Sequence, residues 1–378
     1  MPTKRQPVSG RSANAPDAPP VPQDGVSDAE SRRLDRALVE LISQCAAAHR
    51  AAAAQVASGG APADLLTLDA ECLARVSKAN PGPLHDNAMR AIFRELLSGV
   101  RELVRPTRVV YLGPEFSYSH LAAVERFGTS AELVPLPTIA AVFDALSRHQ
   151  ANVGVVPIEN STDGRVADTL DMFARLPLRI CGEVQLRIHH CLLGKCSRSA
   201  VREVCSKPQA LSQCRGWLAR HLPEARLVET DSTAAAARLA AEKPGAAAIA
   251  SRQAGVHYGL DVITRNIEDN RHNVTRFAVI GDQPPASTGN DKTSLMFAVP
   301  HEPGALADAM AIFKRHHLNL TFIESFPVPN TPNKYLFFVE FQGHPADRDA
   351  ERALATLARK TVRLEVLGSY PATQPVEE

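Results

Sequence analysis

Apolar residues fall at helical spacing through the first hundred positions. After Ser27 they recur at Leu34, Leu38, Leu41, Ile42 and Cys45, and steps of three or four predict a helix over about 28–57. Ser27 followed by Glu30 has the pattern of a capping box and sets the start. Gly59, Gly60 and Pro62 set the end. A second helix is predicted over about 64–78, stopped by Asn80, Pro81, Gly82 and Pro83. A third covers about 86–104, with Met89, Ile92, Phe93, Leu96, Leu97, Val100 and Leu103 on one stripe. Pro106 closes this all-helical stretch.

The period then changes. Residues 107–112 (TRVVYL) form a short apolar run that predicts a strand, and a Gly-Pro turn and a helix follow. Residues 152–158 (NVGVVPI) predict another strand, and strand and helix signals alternate to about residue 282, the pattern of an α/β domain. Pro284, Pro285 and the stretch from Ser287 to Asn290 read as a linker. A strand over 293–299 and a helix starting near Gly304 come next. Strand, strand, helix and strand signals then run to Val366, a β-α-β-β-α-β order that predicts a ferredoxin-like sandwich.

Composition narrows the class. A length of 378 residues allows two or three domains, and a hydrophobic share of 44% supplies core for each of them. The formal net charge of +1 gives no argument for nucleic acid or for a membrane surface. No run of about 18 apolar residues predicts a transmembrane helix. Lys4 and Arg5 precede Pro-, Ala- and Asp-containing sequence, not an apolar signal core, so residues 1–26 read as a disordered tail. Seven cysteines occur without a C-x-x-C pair, so neither a metal site nor a disulfide framework is expected. Reduced thiols in the cytoplasm are the simpler reading.

Four stretches carry the candidate chemistry. They are Leu112 to His120 (LGPEFSYSH), Val156 to Ser161 (VPIENS) with Gly164, Asp231 to Ala234 (DSTA), and Asn273 to Phe277 (NVTRF). In this order and spacing they resemble the prephenate dehydratase family over about 107–282. Downstream, Gly304 to Leu306 (GAL), Glu324 to Pro327 (ESFP) and Val366 to Pro371 (VLGSYP) resemble the ACT domain attached to those enzymes. Upstream, Asn80 to Leu84 (NPGPL) and Ile92 to Glu95 (IFRE) resemble the chorismate mutase segment of the bifunctional mutase–dehydratases. The implied architecture is multidomain. A tail (1–26) precedes an all-α chorismate mutase-like domain (27–105) and a two-lobed α/β dehydratase domain (106–283), similar in outline to periplasmic binding proteins. A linker (284–292), an α+β ferredoxin-like ACT domain (293–371) and a tail (372–378) complete it.

The implied substrate, prephenate, carries two carboxylates and a ring hydroxyl. Losing carbon dioxide and hydroxide together makes an aromatic ring, so the barrier lies in the poor leaving group. The site must anchor carboxylates and donate a hydrogen bond or proton to the departing oxygen. The resemblance nominates Thr275 for that donation, and hydrogen bonding more than full proton transfer is the expected role. Ser117 and Ser119, at a helix start that favours anions, can cap the helix or bind a carboxylate. Asn160 and Ser161 follow a buried strand and offer hydrogen bonds to substrate oxygens, while Glu159 beside them is expected to orient or support. Ser232 and Thr233 can cap the next helix or contact substrate. Arg276 can grip a carboxylate or pair with Glu268 or Asp269. The adjacent His189 and His190 would point to opposite faces of a strand, which argues for packing and against a shared metal. One departure stands out: the family usually has glycine where this chain has Phe116, and the bulk there bears on substrate preference.

The front domain departs further. On the family's first helix, Cys45 and Asp28 fall where arginines are expected and Val56 near an expected lysine. From Ala37 to Ala74 the only Lys or Arg is Arg50. A cavity so poor in positive charge should not hold chorismate, so a relic mutase domain kept for dimerisation or stability is expected, with Arg33, Arg50 and Arg94 as the residues able to contradict it. In the ACT segment, Gly304, Ala305, Leu306, Glu324 and Ser325 are the expected phenylalanine-binding residues, and Phe326 replaces the family's usual arginine. No cofactor or metal is implied, and a homodimer or homotetramer is expected. The rival readings are a working bifunctional enzyme, an arogenate dehydratase and a non-catalytic amino-acid sensor.

Overall fold

The structure is a computed structural model and describes residues 27–59, 62–162, 164–282, 285–327 and 335–376. The expected tail over 1–26 lies outside the described residues. The chain divides into two units, residues 1–45 and 46–378. Three helices come first: α1 (Asp28–Gly59), α2 (Pro62–Ala79) and α3 (Asp86–Val104). Ser27 Oγ accepts the Glu30 amide at 3.2 Å, which opens α1 as the capping pattern predicts. In the first unit the apolar stripe of α1 faces solvent, with Leu34, Leu38, Leu41 and Ile42 all exposed. In the second unit Leu97 and Val100 of α3 and Cys72 of α2 are buried. Arg101 of α3 pairs there with Asp69 of α2 and donates to the Phe127 carbonyl. Burial, and then repulsion from Arg126, bring its pKa down to about 10.

The α/β region runs β1 (Arg108–Leu112), α4 (Tyr118–Phe127), β2 (Glu132–Leu136), α5 (Ile139–Ser147), β3 (Val153–Asn160), β4 (Gly164–Arg165), α6 (Ala167–Arg175) and β5 (Arg179–Arg187). It then crosses to β6 (Cys191–Gly194), β7 (Glu203–Ser206), α7 (Pro208–Gln213), α8 (Arg215–His221), β8 (Arg226–Glu229), α9 (Thr233–Glu242), β9 (Ala246–Ala250), α10 (Arg252–His257) and β10 (Asp261–Thr264). β11 (Val274–Gly281) returns to the first sheet. The first lobe has strand order β2-β1-β3-β11-β5 with β4 on β3, and the second has β10-β6-β9-β7-β8. Two crossings, residues 188–190 and 265–273, join the lobes. In the second lobe, five buried residues of β9 (AAAIA) meet an alanine-rich α9, and their small side chains let helix and sheet approach closely.

The final region is β12 (Asp291–Ala298), α11 (Ala305–Arg315), β13 (Leu320–Pro327), β14 (Tyr335–Gln342), α12 (Arg348–Lys360) and β15 (Arg363–Pro371), in sheet order β13-β14-β12-β15. One face of this antiparallel sheet packs on α11 and α12 through Phe313, Val339, Phe341 and Leu357. Its other face shares a core with the first lobe, where Met296, Phe338 and Tyr370 meet Phe173 and Ile180. Phe326 is buried in that shared core. Gly368 lies against the Ile180 backbone, where any Cβ would collide.

Two predicted boundaries are corrected. β12 begins at Asp291 inside the expected linker, because Asp291 accepts bonds from Ser287, Thr288 and Gly289 and knots the approach to the strand. The segment expected as a tail from 372 is not free through 376. Val376 exchanges backbone bonds with Gln185 and Arg187, and Thr373 donates to Glu183. The reason is that β5 ends its sheet with open backbone groups, which this segment covers.

Candidate active site

Register places the first pair. Thr275 of β11 stands opposite Asn160 of β3 on one side and Leu186 of β5 on the other. Asn160 Nδ2 donates to Thr275 Oγ1 at 2.8 Å and to Asn273 Oδ1 at 2.9 Å. Asn160 Oδ1 accepts the Thr162 amide at 2.9 Å. The carboxamide is thus occupied in holding Thr275. Because Thr275 Oγ1 accepts this bond, its own proton remains to be donated, and accepting one bond strengthens the donation of another.

The chain of bonds continues across the lobes. Asn273 Nδ2 donates to Gln213 Oε1 of α7 at 3.0 Å. The same oxygen meets His190 Nε2 at 2.9 Å, and His190 Nδ1 meets the Tyr118 hydroxyl of α4 at 3.1 Å. Tyr118 also donates to the His189 carbonyl at 2.8 Å. Glu268 ties the two crossings by meeting His189 Nδ1 and the His190 amide, both at 2.9 Å. A buried His190 in a hydrogen-bonded hinge agrees with the packing reading of the histidine pair.

The other expected substrate contacts are placed as follows. Ser161 Oγ accepts the Val274 amide at 2.9 Å and donates to the His272 carbonyl, so its hydroxyl fastens β11 to the end of β3. Ser117 caps α4 by accepting the His120 amide at 3.4 Å, and Ser119 is buried in the first turn. Ser232 caps α9 by accepting the Ala235 amide at 3.0 Å, with buried Thr233 beside it. These four residues stand at helix amino ends, where backbone N–H groups favour anions. α4 follows β1 and α9 follows β8, both at the carboxyl ends of parallel strands, the usual ligand edge of an open α/β sheet.

A family model described as prephenate dehydratase matches residues 109–285, and one described as ACT domain matches residues 293–359. The bifunctional chorismate mutase/prephenate dehydratase of Aquifex aeolicus is 38% identical over 347 residues, 90% of this chain and 96% of that protein. The chain belongs to the prephenate dehydratase family. The enzyme of the same description from Neisseria gonorrhoeae is 40% identical over 79% of this chain and 84% of its own length. A prephenate dehydratase from Arthrobacter aurescens, solved in complex with L-Phe, superposes with a TM-score of 0.66 at 33% identity over 71% of this chain and 92% of that one. The α/β lobes are therefore a dehydratase domain, and the last sheet is its regulatory ACT domain.

The expectation that Arg276 grips a substrate carboxylate is corrected. Neighbours on a strand point to opposite faces, and the face opposite Thr275 looks toward the ACT sheet. Arg276 reaches Glu159 at 2.9 Å, Glu183 at 3.2 Å and Glu340 of β14 at 2.5 Å. Lys292 of β12 joins Glu183 at 3.0 Å and Glu340 at 3.5 Å. Burial opposes the charge on Arg276, but Glu340, Tyr370, Glu183 and Glu159 outweigh it and hold the guanidinium protonated. Neither partner foreseen for Arg276 is used: Glu268 serves the histidines, and Asp269 caps α8 through the Gly216 and Trp217 amides. Glu159 has its role in this cluster.

In the ACT domain, Gly304, Ala305 and Leu306 line a cleft of about 560 Å³ with Val299, Met310 and Phe337. Gly304 adopts φ 83°, a left-handed turn that suits glycine at the start of α11. Glu324 points elsewhere and accepts from Arg165 of β4 at 2.6 Å, while Ser325 pairs in register with the cleft residue Phe337. Sequence reading missed Gln213, Tyr118 and the role of Asn273. Asn273 and Tyr118 lay inside quoted motifs, but Gln213 meets Asn273, and Tyr118 meets His190, only through the crossing of the lobes, which no local pattern encodes.

Proposed function

We propose that prephenate binds between the lobes with its carboxylates toward the amino ends of α4 and α9, and that Thr275 donates to the departing ring hydroxyl. The C–C bond to the ring carboxylate breaks, its electron pair completes the aromatic ring, and the C–O bond breaks as hydroxide leaves. Carbon dioxide, phenylpyruvate and hydroxide result, with the hydroxide stabilised by the Thr275 hydrogen bond and taking a proton from solvent to become water. The observation that carries this reading is the 2.8 Å bond from Asn160 to Thr275, which leaves the threonine proton to donate. The test is phenylpyruvate formation by wild type and Thr275→Ala side by side. Turnover of prephenate, lost in the variant, supports it; turnover of arogenate alone moves the substrate, and none with either favours an amino-acid sensor.

Phenylalanine is the effector in this reading, bound in the cleft at Gly304 to Leu306, with the apolar wall of Leu306, Met310 and Phe337 suited to its ring. The exposed stripe of Leu34, Leu38, Leu41 and Ile42 supports a helical domain kept for association of two copies. The domain limits are taken as 27–105, 106–283 and 291–371, with residues 372–376 lying along β5 of the dehydratase domain, and the cytoplasm as the setting its unpatterned cysteines fit. Mutase activity is taken as lost: Arg33 pairs with Glu30, and Arg94 pairs with Glu95 and Glu125. His49 lies 3.6 Å from Cys72 Sγ, and burial and then Arg75 keep its pKa low, so it adds little positive charge. Conversion of added chorismate to prephenate at an enzymatic rate would overturn that last point.

A further inference from the structure

Phe116 stands at φ 60°, in the left-handed region that disfavours residues with a Cβ. Its surroundings offset that strain. The ring stacks on His257 with centroids 3.9 Å apart and planes 21° apart. His120 meets it edge-on at 5.2 Å and Tyr258 at 6.4 Å. The Phe116 amide donates to His120 Nδ1 at 3.1 Å, which requires that nitrogen to be unprotonated. Burial lowers the pKa of His120 against the pull of Glu115, and His257 adds to the lowering.

The partners belong to different lobes. Phe116 sits in the turn from β1 to α4, one residue before the Ser117 cap, and packs onto the second-lobe core. His257 ends α10 in the second lobe, and Tyr258 follows it. The lobes are covalently joined by the crossings at 188–190 and 265–273, so this stack is an additional, breakable tie. Parting the lobes strips the ring of its second-lobe contacts and leaves the strained backbone uncompensated.

We propose that Phe116 and His257 form an aromatic clasp that closes the two lobes over the cleft and makes Phe116 a gate on substrate exchange. The clasp rests on the reading that substrate lies between the lobes. Ligand enters when the stack parts, and the ring returns to His257 as the lobes close. Glycine at this position relieves the turn in both forms and takes the ring out of the stack, so the open form gains population.

The test uses the full chain and the variants Phe116→Gly, Phe116→Leu, His257→Ala and the double variant Phe116→Gly/His257→Ala. A fluorophore pair on unnatural amino acids at Asp144 and Arg220 reads the lobe separation without ligand. Phenylpyruvate serves as a non-reacting probe of association and dissociation. Phe116→Gly and His257→Ala should each lengthen the separation and speed both rates by roughly 2- to 10-fold, the equivalent of one aromatic pair. The double variant should match the single ones, because they break one contact. Phe116→Leu keeps the bulk without the stack and should behave like His257→Ala. Unchanged separation in all variants overturns the clasp, and additive effects overturn the pairing with His257. A wild type that neither binds phenylpyruvate nor turns over prephenate would sink the functional reading, while the ligand-free separation would still decide the clasp.

Discussion

Thr275 and Arg276 are neighbours in the chain and face opposite ways on β11. On the face away from the ACT domain, Thr275 joins uncharged amides: Asn160, then Asn273 and Gln213. Toward the ACT domain, Arg276 joins charges from β3, β5 and β14, with Lys292 of β12 completing the cluster. The difference teaches how one strand separates two tasks. Uncharged neighbours leave the hydroxyl proton available, and in the proposed site they would not repel a dianionic substrate. The ionic face clamps the strand to the ACT domain, so a shift of the ACT sheet has a direct mechanical path to β11. A second bridge, Arg165 to Glu324 at 2.6 Å, connects β13 to the hairpin partner of β3.

The largest effect is expected on the neutral face. Thr275→Ala should lower kcat by roughly 10²-fold or more, the scale of a general-acid contribution, while Thr275→Ser keeps a hydroxyl and most of the rate. Asn160→Ala should lower kcat by about tenfold with a smaller change in KM, since it loses one bond that positions the donor. Steady-state kinetics on prephenate reads both. A KM effect without a kcat effect in Asn160→Ala would instead make Asn160 a substrate ligand, as its place in the motif first suggested.

The ionic face should separate regulation from chemistry. Glu340→Gln keeps the shape of the cluster and removes one charge, at a cost of about 1–3 kcal/mol in stability. Unliganded turnover should stay within a few-fold of wild type. Inhibition by phenylalanine should weaken by roughly 5-fold or more, the lower range of coupling between sites. Calorimetric binding of phenylalanine alongside inhibition separates lost coupling from lost binding. Full inhibition in a stable Glu340→Gln enzyme would remove Glu340 from the path.

What the sequence made legible followed local rules. Helical spacing placed α3 at the observed residues, and the β-α-β-β-α-β order held for the last domain. The motif reading put Thr275 and Asn160 in the same site because register depends on strands that the motifs themselves begin or end. Arg276 was misread for a reason of distance. Its ACT partner Glu340 lies 64 residues on, in a strand whose approach depends on packing between domains. The same limit hid Gln213, 60 residues from Asn273. Phe116 was marked as a departure from glycine, but its compensation by His257 needed the second lobe in place.

A smaller and slower-varying effect should appear with pH. Burial works to raise the pKa of Glu340, but Arg276, Lys292 and the Thr321 hydroxyl outweigh it, and the net shift is downward from 4.5. A carboxylate whose folded pKa is depressed binds fewer protons in the folded state than in the unfolded one near its ordinary pKa. Its contribution is therefore fully present above the unfolded value and is lost as pH falls through the folded value. Each proton so linked changes stability by about 1.4 kcal/mol per pH unit inside that window. Wild type should lose stability on acidification from about pH 5 more steeply than Glu340→Gln, and the two should converge at lower pH, where Glu340 is protonated. Chemical denaturation across that range reads the slopes. Parallel slopes would mean that the ionic face of β11 holds its strand by packing around Phe322 and Tyr370 and not by charge, and the contrast with the neutral face would then be one of shape.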